Sequence, residues 1–152
     1  MAIFEGEANW QEKAQQILEA VHNSEPHYYY ASATLGQVYH FMGDADKAQG
    51  LFRHAYETIE RSGDLQKVTE TRSKILLLMV VGLCCKHGLP DEKRAGEYLD
   101  NANNLRARLP KLGDQVCTVF SILSRKNENS ETIRSHIDLI RKGEVFLRAE
   151  SL

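Results

Sequence analysis

The chain has 152 residues, 42% of them hydrophobic and 26% charged, with a formal net charge of -2 and a pI near 6.3. This length buries a sizeable core without disulfide or metal support, and the balance is that of an ordinary soluble globular protein. Lysine and arginine interleave with glutamate and aspartate along every segment, which excludes the basic stripe that a nucleic-acid binder uses to neutralise phosphates.

Three prolines and ten glycines punctuate the chain, and they fall between stretches whose apolar residues recur at i, i+3, i+4 and i+7. Strand signals are missing. Ala14, Ile17, Leu18 and Val21 form the apolar stripe of a first helix, ended at Glu25-Pro26 because the residue before proline is pushed out of helical geometry. A second helix begins near Tyr28 and runs through Leu35, Val38 and Tyr39 to Met42, where Gly43 supplies a left-handed residue. Asp44 then caps a third helix that buries Ala48, Leu51, Phe52, Ala55 and Ile59. Ser62-Gly63-Asp64 repeats the stop and start. A fourth helix is expected from about Leu65 to His87; its second half, KILLLMVVGLCC, is apolar nearly all round and must be covered on several sides. Gly88-Leu89-Pro90-Asp91 breaks the chain again, and Asp91 caps a helix through Ala95, Tyr98, Leu99, Ala102 and Leu105. Two further helices are expected at Asp114 to Arg125 and Ser130 to Ala149. The sum is an all-α chain of about seven helices joined by short turns, hence tandem antiparallel hairpins.

The most apolar run, Ile75 to Cys85, is half the ~20 residues of a membrane-spanning helix and is bracketed by Lys74 and Lys86. No membrane insertion is expected. MAIFEGEANW lacks the basic and apolar regions of a secretory signal, so the expected compartment is the cytoplasm. Cys84, Cys85 and Cys117 are odd in number with no C-x-x-C spacing, which fits reduced thiols, the first two packed in a core. The histidines His22, His27, His40, His54, His87 and His136 show no metal-ligand spacing. No catalytic constellation, phosphate-cradling loop, cofactor site or metal site stands out, and the expectation is a protein that is not an enzyme.

Gly36 and Ala48 stand where bulkier residues would bury more surface, which is explained if two helices approach closely there. Leu35-Gly36, Tyr39, Ala48, Phe52 and Ala55, with Gly43-Asp44 in the turn, resemble the tetratricopeptide repeat, W-x2-L-G-x2-Y followed by A-x3-F in a unit of ~34 residues. Ser32 replaces the tryptophan. Ala14, Leu18 and Val21 repeat the second-helix spacing one period of ~34 residues earlier. Ala95, Leu99 and Ala102 repeat it downstream, with Gly82 and Cys85 in place of Gly36 and Tyr39. The resemblance covers about three quarters of the chain, as one domain over residues 1–152: a best repeat at 28–62 and degenerate ones at 8–27, 65–108 and 114–149. The recurring Gly-Asp ends and long helices are more similar to the longer variants of regulatory and scaffolding repeat proteins.

The resemblance implies a superhelix of roughly three to four hairpins whose first helices line a concave groove that takes a peptide or partner helix. Carried over by alignment, that groove holds Tyr30, Ala33, Gln37, His40 and Phe41, with Met79, Leu83 and Lys86 next along it. Members that clamp a peptide C-terminal carboxylate carry lysine and asparagine at the places aligned with Ala33 and Gln37, so that clamp is absent. Alternatively, the groove residues pack against neighbouring helices in a compact bundle. Of Tyr28, Tyr29 and Tyr30, which point about 100° apart on a helix, one packs inside and another reaches the groove or surface. The function expected is a non-catalytic module that binds another protein or peptide. Two further possibilities are oligomerisation or scaffolding through an uncovered N-terminal face or the apolar fourth helix, and a sensor that responds to a peptide or small ligand.

Overall fold

The computed structural model describes residues 10–108, and every element among them is helical. They are α1 (Trp10–Ser24), α2 (Tyr29–Phe41), α3 (Ala45–Ser62), α4 (Asp64–Lys67), α5 (Thr71–Gly88) and α6 (Glu92–Arg106). The helices expected at 114–125 and 130–149 lie outside the described residues. Among the described residues no helix is long and apolar enough to cross a membrane.

Short connections make each helix pack on the next. Helices α2 and α3 form one hairpin, α5 and α6 a second, α1 lies against α2, and α3 lies against α5 to join the two hairpins. The turns have the chemistry their residues dictate. Gly43 has φ 86° and Gly63 φ 70°, left-handed values at which a Cβ is strained. Asp44 accepts the Lys47 N–H at 3.2 Å and Asp91 the Arg94 N–H at 3.1 Å, each satisfying an orphan donor at a helix start.

Three expectations need correction. The chain from Leu65 to His87 is not one helix: Val68 is extended, with ψ 118°, and α5 starts afresh at Thr71. Glu70 stabilises that new start by accepting the Ser73 N–H at 2.7 Å. Asp64 does not cap α4 with its side chain. Its carboxylate instead accepts the Tyr29 hydroxyl at 2.7 Å and ties α4 back to the start of α2. Gly88, expected as part of a break, is the last residue of α5 and is buried.

Close approach runs through the core. A Cβ on Gly36 would lie 2.9 Å from the Phe52 ring, and one on Gly82 would lie 2.9 Å from Leu99 Cδ2. Each hairpin therefore seats a large side chain of its second helix on a glycine of its first. Gly88 is tighter still, since a Cβ there would sit 2.5 Å from the backbone N of Arg53 on α3. Ala48 and Ala55, the small residues expected at contacts, are buried. So is every residue from Ile75 to Cys85, as an all-round apolar helix requires. Buried hydroxyls turn to local carbonyls: Thr34 donates to Tyr30 O and Thr58 to His54 O, both at 2.7 Å.

Candidate interaction surface

Helices α2 and α5, the first helices of their hairpins, touch each other lightly and carry all eight residues expected to line a groove. The structure divides those residues into two sets. Ala33, Gln37, Met79 and Leu83 are each 0% exposed, so a partner touches them only by displacing what packs over them. Tyr30, Phe41 and Lys86 are half-buried and His40 is exposed. The buried set behaves as residues of a packed bundle do, whereas the second set retains surface.

Three of these four accessible residues gather at one end of the two helices, whereas Tyr30 lies at the other end of α2. The His40 ring lies 6.0 Å from Phe41 on the same helix and 6.0 Å from His87 on α5, beside Lys86. The ends of α2 and α5 are thus level with each other, and the aromatic and basic groups form one strip across two hairpins. Burial, then the neighbouring His40 and Lys86 charges, lowers the His87 pKa to about 4, and burial also lowers that of His40. Both rings are neutral at pH 7, leaving Lys86 as the cation of the strip.

At the other end of α2 the three tyrosines part company, as helical spacing demands. Tyr28 is 41% exposed, Tyr29 is half-buried and holds Asp64, and the Tyr30 ring packs 4.8 Å from that of Tyr29. Burial and the Asp64 hydrogen bond push the Tyr29 hydroxyl well above its ordinary pKa, so it remains a donor. No spacing rule links Tyr29 to Asp64; the signal was the aspartate at a helix start, which is also what a cap looks like.

The remaining polar groups serve packing. Tyr39 donates to Glu19 and accepts from Gln15 Nε2 at 3.2 Å, which fastens α1 to α2; burial and Glu19 together push the hydroxyl to about 12. His22 shares a 3.0 Å hydrogen bond with buried Ser32, and His54 Nε2–H donates to Pro26 O at 2.8 Å. Burial drives the Cys84 thiol far up, and burial with the Asp91 carboxylate pushes Cys85 to about 11, so both stay protonated and unreactive. Among the described residues no group of three or more His, Cys, Asp or Glu side chains converges on a metal position.

A second feature lies away from the strip. Between the C-terminal parts of α3 and α6, with α4 and α5 on its other sides, there is an open cavity of about 730 Å³. Its wall toward α3 is made by Glu60, which accepts the Tyr56 hydroxyl at 2.7 Å; Tyr56 in turn accepts Arg94 Nη1 at 2.9 Å. The sequence offered no direct signal for this cavity, because its lining is assembled from four helices, of which α3 and α6 are remote from one another in the chain.

No family model matches the chain, and neither a curated protein nor a solved structure does.

Proposed function

We propose that the protein is a non-catalytic interaction module that binds a peptide or helix of another protein along the α2–α5 face. The observation that carries this reading is the alignment of His40 with His87, which joins accessible groups of two hairpins into one strip. Tyr30 and Phe41 supply apolar contact and Lys86 supplies charge. Its chemistry favours a partner segment of mixed character, apolar with an acidic residue opposite Lys86. The tetratricopeptide resemblance supports the same face, through the order of small and large residues in the α2–α3 hairpin. Gln37, Ala33, Met79 and Leu83, fully buried on the same two helices, are left out of the contact surface.

A photo-cross-linking amino acid placed at His40, with another at exposed Glu57 on α3 as the control face, tests this directly in native extract. A defined partner cross-linked from position 40 and not from 57, and weakened about tenfold by Lys86→Glu, is the expected result. Equal capture from both positions, or capture indifferent to Lys86→Glu in a folded variant, overturns the reading.

A further inference from the structure

We propose that the cavity bounded by α3, α4, α5 and α6 is a binding site for a small organic anion, a carboxylate joined to a compact apolar body. Its volume of about 730 Å³ is in the range of small-molecule sites. The floor is apolar: Ile59 is fully buried and Leu78 nearly so, with Leu65 and Leu105 half-buried at the sides. Lys74 and Arg108 stand on the lining with the amides of Gln66, Asn101 and Asn104, so two cations and three amide groups line one opening.

Charge selects the ligand. The one carboxylate on the lining, Glu60, is held by the hydroxyls of Tyr56 at 2.7 Å and Tyr98 at 3.5 Å, on the α3 side. Neither Lys74 nor Arg108 makes an ion pair with any described residue. The lining therefore carries an excess of one positive charge, with its negative group already engaged. An anionic head satisfies Lys74 and Arg108 while the apolar body covers Leu65, Leu78 and Leu105. Inorganic phosphate alone satisfies the cations and leaves the floor wet; a neutral hydrophobe does the reverse. This site is separate from the α2–α5 strip and stands or falls independently of it.

The probe is 4-phenylbutyrate, with 4-phenylbutyramide as its uncharged counterpart and inorganic phosphate as the headgroup alone. Calorimetry on the full chain, with methyl-labelled NMR at Leu78 and Leu105, is expected to show saturable binding of the acid that shifts both methyl sets. The amide binds at least tenfold more weakly, phosphate leaves the methyls unmoved, and raised salt weakens the acid. The double variant Lys74→Gln, Arg108→Gln, whose side chains are not core groups, loses at least tenfold in affinity at unchanged helicity. The proposal is overturned if the acid does not saturate, if acid and amide bind alike, or if the folded double variant binds as well as the parent. Should that variant unfold, the single variants Lys74→Gln and Arg108→Gln make the same test, each expected to lose threefold or more.

Discussion

A methyl group is the unit on which this fold turns, because glycine plays opposite parts at different positions. At Gly88 a Cβ would meet the α3 backbone at 2.5 Å, and backbone cannot rotate aside. Gly88→Ala is therefore expected to cost about 3 kcal/mol in urea unfolding, in the range of overpacked cores. At Gly36 the obstacle is the Phe52 ring at 2.9 Å, which yields by tilting, so Gly36→Ala should cost about 1–2 kcal/mol, part of it offset by the better helix propensity of alanine. Gly50 and Gly96 face open space within helices, and alanine there should stabilise by about 0.5–1 kcal/mol each. Stabilisation at all four positions would show that propensity, not contact, decides. A close approach at Gly36 was legible from Gly36 and Ala48, but the side chain expected there was that of Ala48, whereas the Phe52 ring occupies the place. That at Gly88 was not, since a glycine next to Leu-Pro-Asp carries the ordinary signature of a turn and its neighbour on α3 is remote in sequence.

Helix ends were the most readable elements, because caps are local chemistry. Asp44 and Asp91 each sit three residues before the N–H they accept. Asp44→Ala and Asp91→Ala should each lower stability by about 1 kcal/mol, and Asn at either site should restore most of it. Asp64 follows a different rule. It is bonded to Tyr29 rather than to its own helix, so Asp64→Ala and Tyr29→Phe should be non-additive in a double-mutant cycle, with a coupling of about 1 kcal/mol. Additive effects would mean that the bond contributes nothing. The break between α4 and α5 escaped the sequence because apolar periodicity continues through Leu65 and Val68, while the Glu70 cap is visible only once Ser73 is known to begin a helix.

Across the described residues, two hairpins use one packing device, Phe52 on Gly36 and Leu99 on Gly82, and the recurrence of Gly36 as Gly82 and Phe52 as Leu99 was visible in the sequence even where the spacing lengthened. The accessible surface was not. Alignment brought eight residues to one face, yet whether a side chain at such a position is floor or rim depends on cover from other elements, and Gln37 and His40 differ entirely in this. Acid stability is also a property of the assembled fold. His87 has a folded pKa of about 4 against an ordinary value near 6.5, so the unfolded chain takes up the proton first. The contribution of His87 to stability is therefore expected to be full above pH 6.5 and to be lost as the pH falls toward 4, with His40 and His22, also lowered, adding in the same direction. For the half-buried His87 ring, solvent screening leaves a loss of about 1–2 kcal/mol. His87→Gln should flatten the melting temperature between pH 7 and 5; an unchanged slope would assign that loss to other groups.

The pair Cys84 and Cys85, sealed in α5, gives the second hairpin a natural stopwatch. A thiol reagent reaches Cys84 only while α5 parts from its neighbours, so the alkylation rate of native protein, compared with that of unfolded chain, measures how often this hairpin opens. With Cys117 changed to serine, the interval between openings is read from unlabelled material, and any molecule that braces α3, α5 and α6 should lengthen it.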